Sequence, residues 1–534
     1  MRAQVDTLEE GPDGQPHDAD PAKKAGRFAL AATPQPDPPH IWTRADTVST
    51  VTIGALAFLM RLFLLPSATA GGTPVFDEKH YVPQAFDMVE SQMNAILGGL
   101  ELNPGYGLVV HPPLGKQVLA IGIEIFGYNP WGWRMVTALC GTAVIVLIMA
   151  IARRLSRSTT IATFAGILAL TDGVLLTASR FGMLDIIQVL FIVAATWMLV
   201  CDNEQMEWRM HNAAATISAS PYGPRMGFRW WRFGAGVLLG LALSVKWSGL
   251  YYMAFFGILI VVLDALRRRR YGVQKPWVGT LLRDCFPAFA SIVILPAALY
   301  VWSWRAWFAN ENAVYRHAAT DGSIDEGSLL NHLPDTLASW FYYHQRVLDF
   351  HASLTNSAGN IHPWESKPWA WLVAGRPILY YSSTGIECGD TTCRRMIFLF
   401  GTPAIWWLTI PVLLWALWSM VIRRNFTYLF PFVLFMAGFV PWLANFDRQM
   451  YFFYATALVP ATIIMLALAL GEVLQYRTPA NKRWLPAGAT WQGVAVATYL
   501  GVAIVCFCYF SPIMYGFRIS DAYYDQMMWL PSWT

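Results

Sequence analysis

The amino-acid sequence predicts an all-α protein that crosses a membrane about eleven times, and three observations support this class. Of the 534 residues, 55% are hydrophobic and only 13% are charged, which gives a mean hydropathy of +0.39. Apolar runs long enough to form helices across a bilayer about 30 Å thick recur along the chain. The basic residues are concentrated in alternate loops between these runs. Against this apolar background, the net charge of +4 does not indicate nucleic-acid binding.

The first element is an N-terminal tail, residues 1–46, which is rich in proline and acidic residues and poor in large apolar side chains. We expect this tail to be disordered. The run 47–65 is too long and too far from Met1 to be a cleaved secretory signal, so it should remain as the first span. Ten further apolar runs complete a single transmembrane domain over 47–534: 133–152, 160–178, 182–201, 233–248, 250–266, 284–304, 397–422, 427–445, 451–471 and 491–511.

The positions of the basic residues test this topology independently, because Lys and Arg in short loops stay on the cytoplasmic side of a membrane. Most of the 38 Lys and Arg residues fall in the tail and in the loops assigned to that side. The short loops on the other side carry almost none. The sequence therefore predicts a multi-pass protein with a cytoplasmic N-terminus and an extracytoplasmic C-terminus.

Two outer segments are too long to be simple turns, and function should be sought there. The first, 66–131, contains the stretches 82–97 and 113–126, whose mixed apolar, Gly, Pro and charged residues predict amphipathic helices at the membrane surface. The second, 305–396, is rich in Trp, Tyr and His, which bind sugars and extended peptides but also pack at interfaces. Cys388 and Cys393 lie in its polar part, where a disulfide and two reduced thiols are both possible.

Two adjacent carboxylates, Asp77 and Glu78, follow shortly after the first predicted span. An Asp-Glu pair in a loop is most often a solvated acidic turn. This pair differs because it lies near the membrane surface and because residues able to hold an anion recur at the same boundary. These candidate cations are His111, Lys116, Arg134, Lys246 and Arg448.

Five short motifs occur in a specific order along the chain, although each alone is weak. They are Phe76-Asp77-Glu78, His111-Pro112-Pro113-Leu114-Gly115-Lys116, Trp133-Arg134-Met135, Ser179-Arg180-Phe181-Gly182-Met183-Leu184-Asp185 and Ser244-Val245-Lys246-Trp247. From about residue 47 onward the sequence resembles the protein O-mannosyltransferases, which have the C-type glycosyltransferase fold. Fungal and animal members carry a β-trefoil insert in the second outer segment, and 305–396 is too short to contain one. The chain therefore looks like the bacterial, actinobacterial-type branch.

The resemblance implies transfer of mannose from polyprenyl-phosphate mannose to Ser or Thr hydroxyls of secreted or membrane proteins, with inversion at the anomeric carbon. A hydroxyl is a poor nucleophile at neutral pH, so this transfer needs a base. The resemblance gives that role to Asp77. It also implies that Glu78 positions the acceptor or the sugar and that Arg134 binds the donor phosphate.

A lipid-linked donor is also expected on other grounds. An active site on the outer face has no access to cytoplasmic nucleotide sugars, and the sequence contains no glycine-rich phosphate loop. His111 and Lys246 are further candidates for binding the donor phosphate. Arg448 is on the correct side to do so, but pairing with Asp447 is an equally simple explanation.

We expect no cofactor and no catalytic metal. Asp77, Glu78 and His80 form a set of hard ligands for a divalent cation, but a monophosphate leaving group beside basic residues does not need one. Arg180 and Asp185 lie close together in sequence near an outer helix end, and we interpret them as a structural ion pair.

The expected setting is the plasma membrane, and the expected partners are unfolded or translocating secretory proteins, membrane lipids and, from the behaviour of the family, the secretion translocon. Within the same class, the alternative is another lipid-linked sugar or a lipid or glycan acceptor. From a different class, the alternative is a lipid flippase or transporter, which should show charges across the bilayer and inverted repeats. No internal repeat is visible in the sequence, and the informative charges cluster at one face.

Overall fold

The computed structural model describes residues 35–38, 40–91, 98–101, 110–359, 361–476 and 488–534. Most of the predicted tail and the end of the stretch 82–97 lie outside these residues. The first half of the chain forms α1 (Arg44–Leu62), α2 (Glu78–Glu90), α3 (Leu114–Phe126), α4 (Pro130–Ser156), α5 (Thr159–Leu170), α6 (Gly173–Ala178), α7 (Leu184–Asn212), α8 (Trp230–Val245), α9 (Gly249–Arg270) and α10 (Pro276–Ser303).

The second half contains the remaining helices and a small sheet. Its elements are α11 (Arg305–Ala309), α12 (Asp335–Ser353), α13 (Pro368–Trp371), β1 (Ile378–Cys388), β2 (Thr391–Leu399), α14 (Pro403–Val421), α15 (Phe426–Ala444), α16 (Phe452–Val473), α17 (Trp491–Phe510), α18 (Pro512–Tyr515), β3 (Ile519–Ser520) and α19 (Asp521–Met527).

Nine helices in the described part of the chain are long and apolar enough to cross a membrane: α1, α4, α7, α9, α10, α14, α15, α16 and α17. The other two predicted spans correspond to shorter apolar helices. One is α8, and the other is α5, which ends where Asp172 caps the short helix α6 through a hydrogen bond from the Leu175 backbone N–H. The polytopic helical class is therefore confirmed, while the count of eleven crossings is not.

A small antiparallel sheet was not predicted. Its strands are ordered β1-β2-β3 and lie in the second outer segment and near the C-terminus. The predicted run 397–422 begins too early, because residues 397–399 belong to β2 and the helix starts only at Pro403. Five of the 11 residues of β1 are Tyr, Ile or Thr, which fit strands better than helices. Cys388 and Cys393 are joined by a disulfide at the tip of the β1-β2 hairpin.

The centre of the bundle is formed by α7 and α16, most of whose residues are buried. In contrast, less than a third of α1, α10 and α17 is buried, as expected for helices in contact with lipid. The predicted amphipathic stretch 113–126 is found as α3, which packs between α2 and α4 and buries more than half of its residues. The described part of the first outer segment is thus docked on the bundle, which places Asp77 beside the ends of α7 and α16.

Candidate active site

Two adjoining cavities lie where the loops meet the ends of α7, α9 and α16. The helical cavity, about 290 Å³, lies among α7, α9, α15 and α16. The loop cavity, about 550 Å³, is bounded by α2, the end of α12 and residues 449–454. Five residues line both cavities, and we call them the seam: Val110, His111, Lys246, His351 and Tyr454.

Asp77 is half-buried at the start of α2 and lines the loop cavity. Burial raises the pKa of its carboxyl group to about 6, an effect that Lys246 opposes and Asp185 reinforces. The hydroxyl of Tyr81, one turn along α2, donates a hydrogen bond to the Asp77 carboxylate. A carboxylate in this position is ionised at neutral pH and is basic enough to accept a proton from a hydroxyl in the cavity.

The backbone just before Asp77 is strained. Phe76 has a φ of 53°, in the left-handed region that costs a residue with a side chain about 1–2 kcal/mol. Its ring is stacked on Tyr380 of β1, with ring centroids 4.3 Å apart and an interplanar angle of 17°, and it contacts Phe453 edge-on. Packing against the sheet and α16 therefore holds the turn that directs Asp77 into the cavity.

Replacing Tyr380 by Ala should lower the rate of transfer by about tenfold to a hundredfold, because small displacements of a catalytic group are costly. The variant Tyr380→Phe retains the stacking ring and should keep most of the activity. Initial rates of the two purified variants, together with their unfolding temperatures, test this prediction. If both variants were fully active, the stack with Phe76 would have no part in placing Asp77.

Glu78 points away from both cavities into a buried ion pair with Arg134. The carboxylate accepts hydrogen bonds from Nε and Nη2 of Arg134 at 2.7 and 2.8 Å, and from the backbone N–H groups of Gly182 at 2.8 Å and Val75 at 3.2 Å. Neither side chain is more than 1% exposed. The pair ties α2 to α4 and to the turn that precedes α7.

Arg134 also donates to three backbone carbonyls. Nη1 contacts the carbonyl oxygens of Leu65 and Ser67, and Nη2 contacts that of Ala68. All of its N–H groups are directed to this loop and to Glu78, and it lines neither cavity. The geometry does not support the expectation that Arg134 binds the donor phosphate, or that Glu78 contacts substrate. Sequence position alone could not distinguish a phosphate ligand from a buried structural arginine.

Lys246 follows the end of α8, and its ammonium group lies 2.8 and 2.9 Å from the two carboxylate oxygens of Asp185 at the start of α7. The expected ion pair between Arg180 and Asp185 is therefore wrong. Non-helical backbone at residues 181–183 separates the two residues, so they do not share a helix face. Arg180 instead donates to backbone carbonyls, including that of Phe63 at 2.6 Å, and lies over the ring of Tyr515.

His111 and Arg448 complete the basic side of the cavities. Burial, together with Lys246 and other nearby cations, lowers the pKa of His111 well below its ordinary value, so this side chain is neutral. Arg448 lies over the ring of Trp442 and donates to the hydroxyl of Tyr454. Within the described residues, its Nε has no hydrogen-bond partner although that atom is buried. Asp447 does not pair with Arg448 but accepts hydrogen bonds from Ser357.

Of the six predicted site residues, four line the cavities and two do not. Asp77 is in the loop cavity, Arg448 is in the helical cavity, and His111 and Lys246 lie in the seam, whereas Glu78 and Arg134 form the supporting ion pair. Lys116, also noted as a candidate cation, is fully buried, pairs with Glu101 and donates to the carbonyl of His111.

Four further residues at the site had no predicted role: Tyr81, His351, Tyr380 and Tyr454. Tyr81 had a local signal, since it is four residues after Asp77 and a helix beginning there brings the two together. The other three approach the site only through tertiary packing. In the described part of the chain, no group of three or more His, Cys, Asp or Glu side chains is arranged to hold a metal ion. The proposed ligand set of Asp77, Glu78 and His80 is not assembled, because Glu78 is directed to Arg134.

The arrangement of helices resembles that of solved glycosyltransferases. The Saccharomyces cerevisiae protein O-mannosyltransferase Pmt1-Pmt2 complex bound to the sugar donor superposes with a TM-score of 0.68 at 15% identity, covering 92% of this chain and 93% of that chain. The apo oligosaccharyltransferase of Archaeoglobus fulgidus gives a TM-score of 0.50 at 14% identity, covering 91% of this chain and 57% of that chain. The fold is that of the membrane-embedded C-type glycosyltransferases.

Sequence comparisons identify the family within that class. Residues 110–221 match the family model described as dolichyl-phosphate-mannose-protein mannosyltransferase, and residues 336–533 match the C-terminal four-transmembrane region of protein O-mannosyltransferase. A polyprenol-phosphate-mannose–protein mannosyltransferase of Corynebacterium glutamicum is 59% identical over 96% of this chain and 98% of its own length. A Mycobacterium tuberculosis relative with the same name is 44% identical over 91% of each chain. The chain belongs to the polyprenol-phosphate-mannose–protein mannosyltransferase family and is a multi-pass membrane glycosyltransferase.

Proposed function

We propose that this enzyme transfers mannose from polyprenyl-phosphate mannose to Ser or Thr hydroxyls of protein acceptors, with Asp77 as the general base. The observation that carries this proposal is the junction of the two cavities. A carboxylate with a raised pKa lies in one cavity, basic side chains line the other, and the seam connects them. A lipid phosphate and a protein hydroxyl can therefore approach one sugar from different sides.

The acceptor hydroxyl binds in the loop cavity, next to Asp77. As its oxygen attacks the anomeric carbon of mannose, Asp77 takes the proton. The bond between that carbon and the phosphate oxygen breaks, and the polyprenyl phosphate leaves with the electron pair. Attack from the face opposite the phosphate inverts the anomeric configuration. The hydrogen bond from Tyr81 orients the carboxylate for this step.

The donor lipid occupies the helical cavity. Leu250 and Tyr251 of α9 and Trp442 of α15 give it apolar walls, while Lys246 and Arg448 lie at its polar end. Gly438 keeps the wall of α15 open, since a Cβ there would lie 2.5 Å from the hydroxyl of Tyr252. Negative charge grows on the phosphate as it leaves, and the ammonium and guanidinium groups stabilise it. Arg448 lines this cavity, so its guanidinium group is available to the phosphate.

We further propose that the active site lies on the extracytoplasmic face of the plasma membrane, that the N-terminus is cytoplasmic, and that the acceptors are unfolded or translocating proteins. The uneven distribution of Lys and Arg among the loops supports this orientation. We also propose the secretion translocon as a partner, on the basis of the behaviour of the family. We further propose that the reaction needs no metal, because Lys246 and Arg448 supply the positive charge for a monophosphate leaving group.

Replacing Arg448 by Gln should lower kcat/KM for polyprenyl-phosphate mannose by about tenfold to a hundredfold, because a charge-assisted contact to the phosphate is lost. The KM for the acceptor should change little. Initial rates measured over a range of donor concentrations test this expectation. The matched control is Arg346→Gln, which removes an exposed arginine of α12 outside both cavities. A normal dependence on donor in Arg448→Gln would exclude Arg448 as a phosphate ligand.

The central experiment measures transfer of radiolabelled mannose from polyprenyl-phosphate mannose to a peptide rich in Thr and Pro, using purified enzyme with and without a chelator. We expect labelling in both conditions. Labelling that the chelator removes and added metal restores would overturn the proposed metal independence. Absence of labelling with folded enzyme and verified donor would overturn the mannosyl-to-protein assignment. Arms with other lipid-linked sugars and with lipid acceptors then identify the alternative within the class.

A further inference from the structure

His351 lies in the last turn of α12 and is one of the five residues that line both cavities. Its Nδ1 is 3.5 Å from Nη2 of Arg448, close enough to accept a hydrogen bond from it. The imidazole also makes a hydrogen bond with the backbone of Val110, the residue before His111. The ring of His351 is 6.1 Å from that of His111 and 6.3 Å from that of Trp247. It therefore connects the polar ends of the two cavities.

The protonation state of His351 suits a hydrogen-bond acceptor. Burial and the nearby charges of Arg448 and Lys246 lower its pKa to about 4, so the ring is neutral at physiological pH. One nitrogen of a neutral imidazole donates and the other accepts. Because the guanidinium group of Arg448 can only donate, Nδ1, which faces it, is the accepting nitrogen.

Contacts at two points hold α12 in place. Seven residues before His351, and hence on the same face of α12, His344 accepts a hydrogen bond from Tyr300, which in turn accepts one from the indole of Trp247. Directly after α12, the backbone N–H of Gln449 donates to the carbonyl of Leu354 at 3.0 Å. The first contact anchors α12 to α10 and to Trp247, and the second joins the C-terminal end of α12 to the loop that carries Arg448.

We propose that His351 is a positioning residue that holds the guanidinium group of Arg448 at the polar end of the helical cavity, where that group meets the donor phosphate. This inference rests on the proposed function and adds a residue of the second outer segment to the donor site. The neutral ring orients the cation without competing for the phosphate. The second outer segment then contributes to donor use as well as to acceptor binding.

Two substitutions of His351 separate its hydrogen bonds. The Oδ1 of Asn occupies roughly the place of Nδ1 and can accept a hydrogen bond from Arg448. Leu can form neither the hydrogen bond with Arg448 nor the one with the Val110 backbone. We expect His351→Leu to lower kcat/KM for polyprenyl-phosphate mannose by about tenfold, and His351→Asn to restore most of that loss. His332→Leu, which changes an exposed histidine of the same outer segment, is the matched control and should behave as wild type.

A double-mutant cycle with Arg448→Gln tests whether His351 acts through Arg448. If it does, His351→Leu should lower kcat/KM by less than about twofold further in the Arg448→Gln background. An equal loss in both backgrounds, or no recovery in His351→Asn, would overturn the proposal and leave His351 a packing residue. Failure of the proposed function is distinguished by the wild-type arm, which would then transfer no mannose at all. Unfolding temperatures of all variants exclude a simple loss of fold.

Discussion

Asp77→Asn should reduce mannose transfer by about a thousandfold or more, the effect expected when a general base is removed from a reaction of a weak nucleophile. Asn has nearly the same shape as Asp but cannot accept a proton at neutral pH. Because the Asp77 carboxylate lies in the loop cavity and not among the basic residues of the helical cavity, donor binding should change little.

The measurement compares initial rates, donor affinity and unfolding temperature of Asp77→Asn with those of wild type. Asp325→Asn is the matched control, since Asp325 is an exposed residue of the second outer segment that lines neither cavity. Retention of full activity in Asp77→Asn would remove Asp77 as the base. If Asp77→Asn lost both activity and folding, Asp77→Glu would test the role instead, because it keeps a carboxylate but moves it by the length of one methylene group.

The raised pKa of Asp77 also gives the reaction a pH dependence of known sign. The base works only when ionised, so activity is present above its pKa of about 6 and is lost as the pH falls through that value. We expect kcat/KM to fall about tenfold per pH unit below this point. In Tyr81→Phe, loss of the hydrogen bond that stabilises the carboxylate should move the acid limb to higher pH. A profile that is flat down to pH 5 would contradict this prediction.

Glu78→Gln is the second substitution with a large expected effect, and its effect should be on stability. Breaking a buried ion pair by removing one partner typically costs about 3–5 kcal/mol. The four N–H groups that now point at the carboxylate would meet an amide that can accept at one end only. The free energy of unfolding should fall, and activity should fall with it because Asp77 is the adjacent residue.

Unfolding in detergent, monitored by tryptophan fluorescence, and initial rates at several donor and acceptor concentrations test this prediction. The control is Glu124→Gln, an exposed position on α3. If Glu78 contacted the acceptor or sugar, as the sequence resemblance implied, Glu78→Gln would fold as well as wild type and change a KM selectively. That outcome would contradict a purely structural role for the ion pair between Glu78 and Arg134.

The parts of the fold that sequence predicted well are those governed by composition over long windows. A run of about 20 apolar residues fixes a membrane helix almost regardless of its neighbours, so nine of the predicted runs have full-length counterparts. The predicted span 160–178 is interrupted after Leu170, where the buried carboxylate of Asp172 caps the next helix. Hydropathy averaged over a window does not detect a single residue of this kind. The β1-β2 hairpin was hidden for a similar reason, since the apolar end of β2 reads as the start of a span.

The site divides in the same way. The ordered motifs contain Asp77, His111 and Lys246, and these three residues line the two cavities together with Arg448, which comes from a separate loop. The structural role of Arg134, its buried ion pair with Glu78, was not predicted. The role of an arginine depends on its burial and its partners, and the local sequence reveals neither. His351 gave no local signal, because it reaches the seam only through the docking of α12 against Trp247 and the loop of Arg448.

The shared seam has a thermodynamic consequence for how the two substrates are used. Five side chains form one wall for both cavities, so a shift of any of them on binding one substrate changes the shape offered to the other. Linkage requires such coupling to be reciprocal: the factor by which an acceptor peptide alters the affinity for donor lipid equals the factor by which the lipid alters the affinity for the peptide. Binding titrations with a non-reactive donor phosphate, performed in both orders, therefore yield a single coupling constant for this membrane enzyme.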